Sequence, residues 1–85
     1  MKDIMYVLTA AECKSISRAA EILYISQPAL SRYISKLERE LGLALFERSG
    51  EGIRLTDAGV IYVKYAREIM RAKEEMEREL KRLCS

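Results

Sequence analysis

Glutamine, serine and arginine side chains recur at helical spacing in residues 25–42, which read ISQPALSRYISKLERELG. When Leu30, Ile34 and Leu37 face a core, helical geometry turns the polar side chains outward. Glutamine and arginine form paired hydrogen bonds with adenine and guanine edges, and small hydroxyls let a helix sit deep in a groove. Basic residues further along such a helix suit phosphates. The outward face and its flanks hold Gln27, Pro28, Ser31, Arg32, Ser35, Lys36 and Arg39.

The residue types needed for catalysis or metal binding are scarce in this chain. There is no histidine, which excludes His-based acid–base catalysis and a Ser/His arrangement. The acids of ERELG (38–42) and KEEMERELKR (73–82) alternate with lysine and arginine at helix spacing, which is typical of solvated surface pairs. Cys13 and Cys84 lack metal-ligand and CxxC spacing, and at Cys13 a half-buried structural thiol is favoured over a redox sensor. We therefore predict no enzyme, cofactor or metal site.

Composition and charge describe a small globular domain. The chain has 85 residues, of which 49% are hydrophobic and 33% charged, enough for one compact domain and too few for two. Lysine and arginine nearly balance the acids in both parts of the chain, eight against seven over residues 1–56 and seven against six over residues 57–85. Without a membrane span or a secretory leader, we expect a cytoplasmic protein. Binding to nucleic acid would depend on where the charges lie, because the net charge is only +2.

The first 24 residues predict two helices. Apolar residues recur at helical spacing in DIMYVLTAAECK (3–14), and Asp3 is available as a cap. Ser17 can cap a short second helix, and adjacent small residues on it would let another helix cross closely. The side chains that the second helix buries are Ala19, Ala20 and Leu23.

The polar segment itself predicts the third helix. Ser26 caps it, Pro28 lies in the first turn where a missing N–H costs nothing, and Gly42 supplies a left-handed end. Its inward stripe consists of Leu30, Ile34, Leu37 and Leu41.

The remaining residues predict a hairpin and one long helix. LALFERSGEGIRLT (43–56) reads as two short strands around a glycine-rich tip. Thr56 can cap a helix that runs to the end of the chain, with Gly59 tolerated in its first turn. A heptad count gives this helix a narrow apolar seam interrupted at Glu79, which predicts a coiled-coil-like contact with another chain. The seam consists of Ala58, Tyr62, Tyr65, Ile69, Ala72, Met76 and Leu83.

Together these elements predict a mainly α fold, a winged helix-turn-helix of three helices plus a two-stranded wing, followed by a long dimerising linker helix. We divide the chain into a winged helix-turn-helix DNA-binding domain, residues 1–56, and a linker helix, residues 57–85. In such domains the second helix of the pair enters the major groove and its partner braces it. A merely solvated face is the plainer interpretation of the polar helix, but the turn before it and the hairpin after it favour contact with DNA.

Residues 15–59, SISRAAEILYISQPALSRYISKLERELGLALFERSGEGIRLTDAG, carry several motifs in a fixed order. A Ser-x-Ser-x-Ala-Ala opening is followed by Ser-Gln-Pro-Ala-Leu-Ser, Leu-Glu-x-x-Leu-Gly, Leu-Phe-x-Arg and Leu-Thr-x-Ala-Gly. The segment resembles the N-terminal DNA-binding domain of the LysR-type transcriptional regulators. With the flanking helices, the resemblance covers essentially the whole chain.

The resemblance implies sequence-specific binding to double-stranded DNA by a homodimer on an interrupted palindrome. It implies contacts with base edges and adjoining backbone from Gln27, Pro28, Ser31 and Arg32. Ser26 at the helix start would add a phosphate contact. Arg48 and Arg54 would act in the wing and contact the neighbouring phosphates. Full-length members bind a small-molecule inducer through a C-terminal domain not present here. We expect an excised domain rather than a natural truncation, because the chain stops within a charged helix.

Three positions depart from the family pattern. Glu51 stands at the wing tip where a basic residue is usual, and an acid there would repel phosphate. Lys14 replaces a favoured glycine before the second helix, at the cost of some strain or with the gain of a phosphate contact. Ala44 replaces a frequent proline.

Other interpretations remain open. A winged domain can act as a protein–protein adaptor, and a nonspecific architectural binder would carry more positive charge and would not need Gln27 or Ser31. The tyrosines could stack on bases, as in single-strand binders. Core or seam packing accounts for Tyr62 and Tyr65, whereas Tyr24 and Tyr33 have no assigned role.

Overall fold

The computed structural model describes residues 1–84 and confirms the predicted mainly α winged helix-turn-helix with a long fourth helix. None of the helices described in this range is long and apolar enough to cross a membrane. The elements are α1 (Lys2–Cys13), α2 (Ile16–Leu23), α3 (Gln27–Leu41), β1 (Phe46–Ser49), β2 (Gly52–Leu55) and α4 (Asp57–Cys84).

The helix starts agree only partly with the sequence. Ser26 caps α3 as predicted, since its hydroxyl oxygen accepts from the Ala29 N–H at 3.2 Å. The prediction of Ser17 as the cap of α2 is wrong. Ser15 takes that position with an extended backbone, and its hydroxyl accepts from the Arg18 N–H at 3.2 Å. Asp3 is not a cap either, because it lies inside α1 and accepts a hydrogen bond from Tyr33 of α3.

One hydrophobic core joins the three short helices, the hairpin and the start of α4. The predicted inward stripe of α3 is correct for Leu30, Ile34 and Leu37, which are at most 7% exposed. It is wrong for Leu41, which is 47% exposed because α3 ends there and the chain turns away at Gly42. The other buried side chains are Val7, Ala10, Ile16, Ala19, Ala20, Leu45, Phe46, Ile53, Val63 and Ala66.

The wing is an antiparallel hairpin tied to the turn between α1 and α2. Its register pairs Phe46 with Leu55 and Ser49 with Gly52. The Ile53 N–H donates to the Lys14 carbonyl at 3.2 Å. Gly52 has φ +128°, and a Cβ there would lie 2.4 Å from the same carbonyl oxygen, so a side chain does not fit. The wing therefore has a fixed position relative to the helices.

The start of α4 is packed into the domain. Thr56 caps the helix as predicted, accepting from the Gly59 N–H at 3.0 Å and donating to the Ala44 carbonyl at 2.6 Å. A Cβ on Gly59 would lie 2.1 Å from the Leu45 carbonyl, so this glycine is required by the close approach rather than merely tolerated. Val63 is also buried. The division at residue 56 stays a prediction, and these contacts tie the linker helix to the core.

Candidate nucleic-acid interface

The predicted contact residues of α3 share one side of the helix, which we call the polar face of α3. Three core leucine and isoleucine residues hold the opposite side of the helix, as described above. Ser31 and Ser35 are half-buried at the edges of the face. The exposed members are Gln27, Pro28, Arg32, Lys36 and Arg39.

The beginning of α3 is open to solvent. Ser26 and Gln27 are exposed there, and the Ser26 hydroxyl oxygen is engaged as the cap. The hydroxyl hydrogen of a capping serine remains a donor. The positive end of the helix dipole lies at the same place. This end of α3 therefore offers hydrogen-bond donors and a favourable potential to an anionic group.

The two predicted wing arginines lie on different faces of the hairpin. Arg48 reaches α3, where its Nη2 donates to the Ser31 Oγ at 2.8 Å. Arg54 pairs across the strands with Glu47 at 3.1 Å. Since successive strand residues point to opposite faces, the structure brings Arg48 to the polar face of α3 and turns Arg54 away from it. The Arg54–Glu47 pair is exposed and contributes little to stability.

Glu38 connects α3 to the wing, a role that the sequence interpretation missed. Its Oε2 accepts from the N–H of Leu45 at 2.7 Å and of Phe46 at 3.2 Å. The interpretation of ERELG as solvated surface pairs is therefore wrong for this residue. The available signal was its spacing of four residues after Ile34 and three before Leu41, which places it at the edge of the inward stripe of α3.

Tyr33 connects α3 to α1. Its hydroxyl donates to the Asp3 carboxylate, and its ring meets that of Tyr6 edge-on, with centroids 4.7 Å apart. The hydrogen bond to Asp3, followed by burial and the charge of Asp3, raises the pKa of Tyr33 to about 12. The hydroxyl of Tyr33 is thus committed to a contact between α1 and α3 within the fold.

The predicted seam of α4 divides into two parts. Ala58 and Tyr62 are half-buried against the domain's own core, and burial raises the pKa of Tyr62. The others are exposed, namely Tyr65, Ile69, Ala72, Met76 and Leu83.

An apolar groove of about 260 Å³ runs along this part of α4. Ile61, which is 60% exposed, belongs to it, although the heptad count did not include this residue. Its spacing of four residues before Tyr65 and eight before Ile69 was the signal in the sequence. The groove is lined by Ile4, Ile61, Tyr62, Tyr65, Ala66 and Ile69.

Groups with metal-binding or redox potential are few within the described part of the chain. Residues 1–84 contain no cluster of three His, Cys, Asp or Glu side chains that could hold a metal ion. Cys13 is half-buried and Cys84 is exposed, and both are free thiols. The exposed polar and basic side chains of α3 form the candidate surface of residues 1–84.

The fold and this surface define a winged helix-turn-helix protein. The chain belongs to the lysR family: residues 1–60 match the model of the bacterial regulatory helix-turn-helix proteins of that family. A relative in Thalassiosira pseudonana, the "Probable RuBisCO transcriptional regulator", is 48% identical over 62 residues, which is 73% of this chain. The chain spans only 20% of the length of that relative.

Solved structures of related domains share the same fold over nearly the whole chain. The DNA-binding domain of BenM in complex with catB site 1 DNA matches with a TM-score of 0.91 at 34% identity, covering 99% of this chain and 94% of the other. The DNA-binding domain of CbnR in complex with DNA matches with a TM-score of 0.86 at 32% identity, covering 99% and 97%. Residues 1–84 therefore have the fold of a LysR-type DNA-binding domain.

Proposed function

We propose that this chain is the DNA-binding domain of a LysR-type transcriptional regulator and binds double-stranded DNA sequence-specifically as a homodimer. The observation that carries the proposal is the polar face of α3, exposed at its N-terminal end and joined by Arg48 from the wing. Glutamine, serine and arginine at helical spacing suit base edges in the major groove. Both solved domains named above were bound to DNA.

In the proposed complex α3 lies in the major groove. Gln27, Ser31 and Arg32, together with Pro28 and Ser35, meet base edges and adjoining backbone near its N-terminus. Ser26 donates to a phosphate. Lys36 and Arg39 neutralise phosphates further along, and so does Arg48, which lies beside the polar face. Arg54, on the other face of the hairpin, contacts the phosphates beside the wing.

Two copies act together through α4 in this proposal. The exposed apolar side chains of the seam, from Tyr65 to Leu83, need a covering surface, and a second α4 supplies one of matching character. Pairing the linker helices sets the distance between the two recognition helices. An interrupted palindrome is the DNA sequence that fits two recognition helices related by a two-fold axis.

The remaining parts of the proposal concern the complete regulator. The domain acts without catalysis, so the protein is not an enzyme, and it acts on the chromosome in the bacterial cytoplasm. A small-molecule inducer would bind to a C-terminal domain outside these residues. Because the chain spans a fifth of its relative, regulation by such an inducer belongs to the longer protein.

Selection from a random duplex library tests the proposal, followed by fluorescence anisotropy titration of the selected duplex and a random duplex at two salt concentrations. We expect a two-fold-related motif bound far more tightly than random duplex, with an affinity that falls steeply as salt rises. No enrichment, together with weak binding to every duplex, would contradict it.

A protein–protein adaptor is the second candidate, supported by the low net charge of +2 and by exposed Leu41 and Leu43. An adaptor would show little affinity for DNA at any salt concentration. The same titration therefore separates the two functions.

A further inference from the structure

The first three helices all end with a residue in the left-handed conformation, but only α3 uses glycine there. The φ angles are +54° at Lys14 after α1, +59° at Tyr24 after α2 and +77° at Gly42 after α3. An L-residue with a Cβ is strained in this conformation, and glycine is not. Tyr24 therefore carries a conformational cost that Gly42 avoids.

The fold requires this backbone conformation whatever the side chain at position 24. The N–H of Tyr24 donates to the Glu21 carbonyl at 3.2 Å, and the N–H of Ile25 donates to the Ala20 carbonyl at 3.0 Å. The end of α3 has the same pattern, because the N–H of Gly42 donates to the Arg39 carbonyl at 3.3 Å and the N–H of Leu43 donates to the Glu38 carbonyl at 3.2 Å. A glycine at position 24 would complete the same helix end without strain.

The side chain of Tyr24 contributes almost nothing to packing. It is 95% exposed, the largest exposed fraction among the exposed large hydrophobic residues of the described chain. By contrast, Tyr6 and Tyr33 contact each other, and Tyr62 packs against the core. A strained backbone that carries an unpacked side chain points to a role outside the fold, since backbone strain of this kind concentrates at functional sites.

Tyr24 also lies at the entrance to the polar face of α3. It is two residues before Ser26, which caps α3, in the turn where α2 ends. In a helix-turn-helix the first helix crosses the DNA backbone, and the N-terminus of the second enters the groove. In the proposed complex, the turn between the two helices is therefore close to the backbone phosphates that border the groove.

We propose that Tyr24 is a further DNA-contacting residue, whose phenolic hydroxyl donates a hydrogen bond to a backbone phosphate beside the N-terminus of α3. This inference rests on the proposed function of the domain. Tyrosine is among the side chains that bind phosphate oxygens in protein–DNA complexes. A backbone contact of this kind positions α3 without reading sequence.

Two substitutions at this position separate binding from folding. Tyr24→Phe removes only the hydroxyl, and we expect it to weaken binding to the selected and the random duplex alike, by about two- to tenfold. Tyr24→Gly removes the ring and the strain, so we expect at least the same loss of affinity with a Tm no lower than that of the wild type.

Tyr33→Phe is the matched control, because it removes the same group from a residue whose hydroxyl is bound to Asp3. It should lower the Tm and leave the affinity per folded molecule unchanged. A loss for Tyr24→Phe confined to the selected duplex would overturn the phosphate contact in favour of a base contact. Unchanged affinity, or a Tm several degrees lower for Tyr24→Gly, would overturn the inference altogether.

The wild-type titration distinguishes failure of the inference from failure of the proposed function. A wild type that binds no duplex overturns the proposed function and this inference together. A wild type that binds tightly, beside Tyr24 variants that bind equally well, overturns the inference alone.

Discussion

Arg32 and Arg39 lie on the same exposed face of α3 but should make different kinds of contact. Arg32 is near the N-terminus of the helix, where base edges are reached, and Arg39 lies two turns further along. We expect Arg32→Ala to cost about 1–3 kcal/mol on the selected duplex and much less on random duplex. Anisotropy titration on both duplexes measures the difference.

Arg39→Ala provides the comparison for Arg32. It should weaken binding to both duplexes by similar factors and reduce the dependence on salt, as expected for the loss of a phosphate contact. An equal loss on every sequence for Arg32→Ala would instead make Arg32 a phosphate contact as well.

The Tyr33 hydroxyl gives the domain a pH-dependent contribution to stability. Its pKa is raised from 10.0 to about 12 by the hydrogen bond to Asp3, so the folded state favours the protonated phenol. The contribution is therefore complete below pH 10 and is lost as the pH rises towards 12. We expect the wild type to exceed Tyr33→Phe in Tm by a constant margin up to pH 10, and the margin should shrink above it. A margin unchanged at pH 12 would contradict this assignment.

Single residues show where the sequence was sufficient and where it was not. Ser26, Thr56 and Gly42 were predicted correctly because a cap or a left-handed end depends on local chain geometry. The partners of Glu38 and Tyr33 could not be predicted, because they lie seven, eight and thirty residues away in the sequence. Such contacts exist only after the elements have packed. The contact residues of the polar face remain predictions until their binding is measured.

At the scale of elements, Glu38 fixes the wing relative to α3. Glu38→Ala leaves two backbone N–H groups without their acceptor, and we expect a loss of about 1–3 kcal/mol in the free energy of unfolding. The DNA affinity of the folded variant should also fall, because the loop before β1 helps to place Arg48. Urea denaturation and anisotropy titration at a temperature where the variant is folded measure the two effects.

Glu38→Gln is the matched variant, since it keeps one carbonyl oxygen as an acceptor and loses the charge. It should fall between the wild type and Glu38→Ala in both measurements. If Glu38→Ala binds DNA as tightly as the wild type once folded, the hydrogen bonds of Glu38 to Leu45 and Phe46 serve stability alone.

The wing tip should contribute a repulsive rather than an attractive charge. Glu51 is exposed at the tip of the hairpin, between Gly50 and Gly52. We expect Glu51→Lys to tighten binding to all duplexes. The plot of log affinity against log salt concentration should become steeper by about one unit, as expected for one additional phosphate contact. Glu12→Lys makes the same change of charge in the groove between α1 and α4 and should have a smaller effect. Equal effects would mean that only net charge matters.

The elements themselves could be predicted because their periodicity is local, whereas their close approaches could not. The 3.6-residue spacing in α3 and the alternation around the glycine-rich tip were sufficient for a helix and a hairpin. Gly52 and Gly59 have a second role that appears only in three dimensions. A Cβ added to either glycine would lie within 2.4 Å of a carbonyl oxygen in a connecting segment elsewhere in the chain. A glycine in a turn and a glycine at a tight contact look the same in a sequence.

At the scale of the whole molecule, one domain offers one recognition helix and an apolar surface on α4 that the domain itself does not cover. The molecule is elongated, measuring 49 × 26 × 22 Å, because α4 continues beyond the core. Ile69 and Met76 are 44% and 52% exposed on that extension. A second copy would cover them and double the number of recognition helices, so assembly and sequence recognition should depend on each other.

The double substitution Ile69→Glu and Met76→Glu tests this dependence. Four like charges at the centre of a paired seam would repel and remain unsolvated, so we expect monomers in sedimentation velocity where the wild type is a dimer. Affinity for the two-fold-related duplex should fall to the level of a single half-site. Arg71→Gln with Arg78→Gln makes the same change of net charge at the same spacing and should still dimerise. A fully dimeric glutamate variant would show that the contact lies elsewhere on the molecule.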